Sequence, residues 1–428
     1  MKLHIFYNGT DSNYEKDFRE EGRFIHGEIV SRFGKYAKDA PGQNDNVLRI
    51  NGVGGSKGGN AISSGLGTAF GVQMRSDVQN IVTFVMNTRT RMKEAIQQGH
   101  SHDTELVVTM MGWSRGGIGC IYAANMVSKV WCELDKLDGA PIVLKIKIVA
   151  MDPVSGLGTN VRALDMGWLD LAVMSTVTWI SSYTRQFGET VVNNLRKLNN
   201  QLVNWWELPE HVTEYHGFYA HDERSVGFAT TMPTMTGVVD NRSFHLYGVP
   251  GTHSTLVGNL YPYGGGNAAA NGAPSQVGLH IYRSVVRKVA KLMHAWHVEF
   301  HADYVQWLQS LNIHEDLTIA GVPVITFEEL AHYKSEAQLV SIVPSFLNPL
   351  NQKDVGPLTD GRGVYIGGNK QDRKWKPASS ISQFMNEKNT KSSVDSMWQW
   401  IVGSETKLEK LGGNVQAHDY NFADSDWT

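Results

Sequence analysis

Residues 105–117 read Glu105-Leu106-Val107-Val108-Thr109-Met110-Met111-Gly112-Trp113-Ser114-Arg115-Gly116-Gly117. The first seven form a compact apolar run of the kind that fills a strand buried on both faces. Gly112-Trp113-Ser114-Arg115-Gly116 follows without a spacer, and a small-residue helical stretch then runs to about Glu133. Gly-X-Ser-X-Gly alone is weak evidence in a chain with 43 Gly among 428 residues. Its place between a strand and a helix makes it specific. A sharp strand-to-helix turn needs glycine at 112 and 116, because side chains there would clash as the serine adopts a strained backbone. The turn exposes the Ser114 hydroxyl at the carboxyl edge of a sheet. It also aims the first N–H groups of a helix at any negative charge developing nearby.

The flanking chain repeats the same alternation. Leu3–Tyr7 reads as a strand stopped by the turn Asn8-Gly9-Thr10-Asp11, and Val47–Val53 as a second strand. Residues 74–98 carry Val78, Ile81, Val82, Val85 and Met86 at helical spacing. Ile142–Met151 is a further strand and ends in Asp152-Pro153. Strand, helix, strand in this rhythm predicts a mostly parallel sheet with crossover helices. Residues 156–210 break the rhythm, with Trp168, Trp179, Trp205 and Trp206 in a helical background. Phe244–Val249 resumes a strand, and His280–Leu311 reads as a long amphipathic helical stretch. Lys370–Ser393 reads as polar loop. The expected fold is α/β-hydrolase-like. Its catalytic domain spans 1–310 and carries a helical, Trp-rich cap or lid at 156–210. Residues 311–428 form a C-terminal extension of unassigned role packed on that domain.

A nucleophilic serine needs a base and a group that orients the base. On this fold the acid precedes the histidine in the chain. Asp152 is the first acid at a strand end on the same edge as Ser114; the alternative is a turn aspartate ahead of Pro153. Asp222, in His221-Asp222-Glu223-Arg224, is the competing acid, with a structural pairing to Arg224 as its own alternative. Of the 16 histidines, His253 lies on the loop after the last strand, where a general base is expected. His216, His221 and His245 are lesser candidates. Gly9 and Thr10, past the first strand, and the N–H of Arg115 are the expected oxyanion donors. The Arg115 side chain is expected to hold the elbow loop.

Other chemistries fit poorly. Lys and Arg total 39 against 42 Asp and Glu, a formal net charge of −3, so an electrostatic nucleic-acid binder is excluded. Cys120 and Cys132 are the two cysteines, which excludes a disulfide scaffold and a Cys-rich zinc module. His100, His102 and Asp103 lack a further ligand nearby, and no metal or cofactor is expected. The Gly-rich stretch after Val53 lacks the order of a phosphate loop. The opening residues do not read as a cleavable signal peptide. Asp165–Tyr183 is apolar but carries Asp165 and Asp170 and falls short of a clean span. The expected origin is therefore the cytoplasm.

The motifs together resemble the α/β-hydrolase domain of bacterial type VI secretion system phospholipase effectors of the first lipase class. That family opens with a strand and an Asp-Gly-Thr-X-Asn turn. Here Asn8-Gly9-Thr10-Asp11-Ser12-Asn13 is similar, with Asn8 in the Asp position. The family elbow is Gly-Phe-Ser-Arg-Gly; Trp113 replaces the Phe. Asp152-Pro153-Val154 stands where the family has Asp-Thr-Val. Tyr215-His216-Gly217 and Asp222-Glu223-Arg224 match a later block. Gly251-Thr252-His253-Ser254-Thr255 matches Gly-X-His-Ser-Asp except at Thr255. The resemblance covers about residues 1–300. It implies a triad of Ser114, Asp152 and His253, hydrolysis of a glycerophospholipid ester, and an antibacterial effector secreted to act at the target-cell envelope. It further implies transient contact with a phospholipid membrane surface, and an immunity protein and a secretion-system component as partners. The Trp-rich insertion would serve such a substrate as an interfacial lid, or else be an ordinary cap with buried Trp. Hydrolysis of a non-phospholipid ester is one alternative. A non-catalytic binding or toxin-delivery module on the same fold is another.

Overall fold

The computed structural model describes residues 1–9, 12–19, 24–39, 46–52, 66–153, 207–220, 233–235, 242–251, 253–260, 274–319, 363–366, 374–377 and 415–419. Residues 154–206, which hold most of the expected cap at 156–210, the Gly-rich segment 53–65, Thr10 and Asp222 lie outside the described residues.

The chain builds an α/β fold. Strand β1 (Lys2–Tyr7) is followed by helices α1 (Tyr14–Asp17) and α2 (Ile29–Tyr36), then β2 (Val47–Ile50), α3 (Leu66–Gln97), β3 (Glu105–Trp113), α4 (Arg115–Asp138) and β4 (Val143–Met151). Then come β5 (Glu207–Leu208), β6 (Val212–Ala220), β7 (Thr234–Met235) and β8 (Ser243–Val249). Helices α5 (Gln276–Ala295) and α6 (Asp303–Ser310) and strands β9 (Gly363–Ile366), β10 (Lys374–Pro377) and β11 (Val415–Asp419) complete the order. Seven strands form one sheet in the order β11-β8-β6-β4-β3-β1-β2. All its pairings are parallel. The strands β5 and β7 pair with each other, and β9 pairs antiparallel with β10.

Strand sequences explain the layering. Alternate side chains of a strand face opposite ways. In β4, Leu144, Ile146, Ile148 and Ala150 point to one face, and Val149 and Met151 to the other. In β3, Leu106, Val108 and Met110 point to the first face, and Met111 and Trp113 to the second. Both faces are covered, so the strands read as continuous apolar runs rather than as alternation. The first face packs against α3 through Val78, Ile81, Val82 and Val85 and against α4 through Ile118, Ile121, Ala124 and Val127. The second packs against Phe33 of α2, Tyr282, Val285 and Val289 of α5, and Trp307 and Leu308 of α6. Gly139 ends α4 at φ 53, a left-handed cap that glycine takes without strain. Ser275 starts α5 by accepting the Gly278 N–H at 3.0 Å.

The structure departs from the sequence expectation in five places. The strand β6 is not among the expected strands, and the expected cap range 156–210 overlaps β5. The helical stretch 280–311 is two helices, α5 and α6, broken near His297 at φ 58. Within the expected polar loop 370–393, Lys374–Pro377 is a strand. Finally, residues 415–419 supply the edge strand of the main sheet, paired with β8 from Val415↔Phe244 to Asp419↔Gly248. No described helix is long and apolar enough to cross a membrane.

The topology locates the candidate site. From β1 the chain moves outward to β2, then returns across β1 to β3 and continues the other way. The carboxyl ends of β1 and β3 therefore flank a reversal of strand order, where open parallel sheets form their crevice.

Candidate active site

Ser114 sits between the end of β3 and the first residue of α4, with φ 56 and ψ −122. Side chains with a Cβ rarely adopt such a backbone. Two contacts hold it there. A Cβ on Gly112 would stand 2.4 Å from the Gly116 carbonyl oxygen, and one on Gly116 would stand 2.1 Å from the Tyr7 carbonyl oxygen. Both glycines thus let the helix start close against the sheet, as the spacing predicts. The Ser114 N–H donates to the Met151 carbonyl at 2.9 Å.

That bond ties the elbow to the next strand. Trp113 and Met151 are register partners across β3 and β4, so Ser114 and Asp152 each lie one step past the pair. Asp152 is fully buried and also has a positive φ, 39. Its N–H donates to the Phe218 carbonyl at 2.6 Å, and its Oδ1 accepts the Ala220 N–H at 3.3 Å. The end of β6 therefore clamps the residue in a backbone conformation that aspartate tolerates better than most.

His253 reaches the same place from β8. The strand ends at Val249, and Gly251 at φ +108 turns the chain. A short 3-10 turn, Thr255–Val257, anchors the far side of the loop through the buried Leu256 and Val257. The His253 Nδ1 lies 2.6 Å from Asp152 Oδ2, and both side chains are buried. The imidazole also packs on the Trp113 indole, with ring centroids 5.4 Å apart and planes 32° apart. Because Trp113 immediately precedes Ser114, this contact sets the ring beside the elbow. A proton on Nδ1, held by the carboxylate, leaves Nε2 as the acceptor nitrogen. The structure thus brings Ser114, Asp152 and His253 to one edge of the sheet.

Among the remaining candidates, Gly9 is at the end of β1 beneath the Trp113 ring, where a Cβ would come within 2.3 Å of an indole carbon. Thr10 and Asp222 lie outside the described residues. Arg115 opens α4. His216 and His245 are register partners inside β6 and β8 and stack on each other at 4.7 Å. His216 Nδ1 is bonded to Tyr247 Oη at 3.0 Å. Both stand within strands, not past their ends. Asp103 is engaged by the amino group of Met1, and His102 is exposed.

One supporting group escaped sequence reasoning. Glu28 is fully buried at the start of α2. Its Oε1 accepts the Val30 N–H at 2.9 Å, and its Oε2 accepts the Ser31 N–H at 2.8 Å and the Ser31 hydroxyl at 2.8 Å. The same Oε2 accepts from Asn8 Nδ2 at 3.1 Å, and that nitrogen also contacts the Ser31 hydroxyl. Glu28 therefore fixes the residue before Gly9. Burial pushes its carboxyl up to about 7, against the lowering effect of the N–H bonds from Val30 and Ser31. The folded protein then holds a proton that the unfolded chain has released between pH ~4.5 and ~7. Glu28 stability is fully present below that window and is lost as pH rises through it. We expect wild type to lose on the order of 2 kcal/mol relative to Glu28→Gln between pH 5 and pH 8. Urea denaturation of both proteins at the two pH values measures this. Parallel pH dependences would remove Glu28 as the titrating group.

No family model matches the chain, and no curated protein matches it. Among solved structures, the chain is similar to the Tle1 effector bound to the VgrG spike from the type 6 secretion system. That likeness has 14% identity and a TM-score of 0.28, and covers 60% of this chain and 50% of that one. It is also similar to an uncharacterized protein from Pseudomonas aeruginosa, with 12% identity and a TM-score of 0.36 over 100% of this chain and 78% of that one. The chain spans about half the length of the effector chain it matches. At these values neither likeness bears on chemistry, which the site residues must carry.

Proposed function

We propose that the chain is a serine ester hydrolase, a phospholipase A-type lipase acting on membrane glycerophospholipids as a secreted antibacterial effector. The observation that carries the chemical part is the 2.6 Å Asp152–His253 bond at the foot of a strained Ser114. The phospholipid and the effector role rest on the motif resemblance of residues 1–300.

In this reading Ser114 Oγ attacks the ester carbonyl carbon as His253 Nε2 takes its proton. The carbonyl oxygen gains the charge and is held by the Arg115 N–H at the start of α4 and by the Gly9–Thr10 loop. Collapse breaks the ester bond. The departing lysolipid oxygen takes the proton from His253, leaving an acyl group on Ser114. Water then attacks the acyl carbon, giving its proton to His253, and free fatty acid leaves as Ser114 recovers its hydrogen. Asp152 keeps the imidazole in the tautomer that can accept at Nε2 and stabilises its cation. The surface at which the lipid docks, the immunity protein and the secretion-system partner belong to the same proposal, with the target-cell envelope as the place of action.

The test is fatty-acid release from vesicles of defined phosphatidylethanolamine and phosphatidylglycerol, alongside labelling by a fluorophosphonate. Release and labelling by wild type, both lost in Ser114→Ala, support the phospholipase. Labelling without release would keep the serine hydrolase and discard the phospholipid in favour of another ester. Neither signal would leave a binding module on a hydrolase fold.

A further inference from the structure

A second cluster of chemistry-bearing side chains lies far from Ser114. Cys132 is near the end of α4, and Glu210 and His211 lie on the turn that leads into β6. One ligand atom from each, the Cys132 sulfur, a Glu210 carboxylate oxygen and a His211 ring nitrogen, lies within 4.8 Å of the other two. Cys132 is 17 residues beyond Arg115 on the same helix, a separation of about 25 Å along its axis. The start of β6 is likewise at the amino edge of the sheet, opposite the edge that carries Ser114.

We propose that Cys132, Glu210 and His211 form a binding site for a thiophilic divalent cation, with Zn²⁺ the best-matched ion. Thiolate, imidazole and carboxylate are the three ligand types that Zn²⁺ accepts in tetrahedral sites. Ca²⁺ and Mg²⁺ select oxygen ligands and have no use for the sulfur. With three protein ligands, water supplies the fourth donor.

Two observations point to a built site. First, His211 Nδ1 is buried with no hydrogen-bond partner among the described residues, although buried ring nitrogens ordinarily have one. Second, the turn is rigid. Arg242 Nε donates to the Val212 carbonyl at 2.7 Å, and its Nη2 donates to the Leu208 carbonyl at 3.0 Å and the Pro209 carbonyl at 2.7 Å. The His211 carbonyl accepts the Ile146 N–H at 2.7 Å. Glu210 and His211 are thus presented by a backbone pinned on both sides, the kind of support that fixes metal ligands. Binding replaces the thiol proton by the metal and releases one proton to solvent, with no change of oxidation state. The ion would tie α4 to the head of β6 and so stabilise the fold.

The experiment uses the full chain, stripped with a chelator and dialysed. Added Co²⁺ is expected to bind at one equivalent with a thiolate-to-cobalt charge-transfer band and ligand-field bands of tetrahedral intensity. Zn²⁺ should displace it. At about 100-fold above Kd, Zn²⁺ should raise Tm by about 3 °C. Cys132→Ser should abolish the charge-transfer band, and His211→Ala should weaken Co²⁺ binding by at least ~10-fold. Glu210 is exposed, so Glu210→Gln tests the site without disturbing the core and should also weaken binding. Zn²⁺ should protect Cys132 from alkylation in wild type; Cys120 is fully buried and does not confuse that reading. Absence of the charge-transfer band in wild type would overturn the site, as would its survival in Cys132→Ser. Binding by Glu210→Gln at wild-type affinity would remove the carboxylate from the ligand set.

Discussion

Ser114→Gly is expected to make the protein more stable by about 1 kcal/mol while lowering ester turnover by on the order of 10⁵-fold or more. The two effects have separate causes. Turnover falls because no other hydroxyl takes the nucleophile's place at the elbow, leaving the residual rate that oxyanion donors and binding supply without it. Stability rises because the φ 56, ψ −122 backbone strains any residue with a Cβ by about 1–3 kcal/mol. Glycine takes it freely, although its looser unfolded chain offsets roughly 0.5–1 kcal/mol of the gain. Ser114→Ala separates the terms: it loses the same hydroxyl and keeps the strained Cβ. It should match the glycine variant in lost turnover and fall below it in stability. Urea midpoints and initial rates on one soluble ester, for all three proteins, give the answer. Equal midpoints for Gly and Ala would mean that the elbow stores no strain. Persisting turnover in either variant would mean that Ser114 is not the nucleophile.

Strain at this point is the expected companion of a site that needs a hydroxyl above a sheet edge. The next strand end repeats it, with Asp152 at φ 39. Two adjacent positive-φ residues persist because their surroundings over-determine them. Gly116 lets α4 abut Tyr7, the Met151 carbonyl holds the Ser114 N–H, and the Phe218 carbonyl holds the Asp152 N–H. The arrangement belongs to the interlocked ends of β1, β3, β4 and β6, so it is a property of the sheet and not of a loop.

Three of the four strands that build this edge are legible in the sequence. β1, β3 and β4 are apolar runs because both faces of the sheet are covered, and the elbow is encoded locally by its two glycines. β6 was hidden for a physical reason. Val212–Ala220 contains Glu214 and His216, which read as polar interruptions. In the fold, Glu214 takes Lys147 Nζ at 2.6 Å and the Trp296 indole N–H at 2.7 Å, and His216 takes Tyr247. Those partners are remote in sequence, so no local pattern announces that the charges are satisfied. The break between α5 and α6 lacks glycine and proline, and His297 adopts positive φ under tertiary constraint. β11 was illegible because five residues pair with a strand more than a hundred positions earlier. Glu28 was missed likewise: its partner Asn8 lies on another element, and a lone glutamate at a helix start looks like an ordinary cap. Cys132, Glu210 and His211 share no motif spacing, since helix and turn meet only in the fold.

Asp152→Asn is expected to lower kcat by about 10⁴-fold with the fold intact. Asparagine has the same shape, and its Oδ1 can still accept the Ala220 N–H that Asp152 accepts at 3.3 Å. The change falls on the other arm. Asp152 Oδ2 lies 2.6 Å from His253 Nδ1, and an ionised carboxylate there can only accept, which places the proton on Nδ1 and leaves Nε2 basic. The amide nitrogen of asparagine donates instead. The imidazole then accepts at Nδ1 and carries its proton on Nε2, the wrong tautomer for taking a proton from Ser114. Restoring the tautomer would set an N–H against an N–H in a dry site, which costs more than the amide can return. Asp222→Asn is the control, because Asp222 is the rival acid two residues beyond Ala220. If Asp152 orients His253, Asp222→Asn stays within a few fold of wild type. The reverse pattern, with Asp152→Asn nearly active and Asp222→Asn inactive, would reassign the acid and leave the Asp152–His253 bond as structural support for the loop after β8.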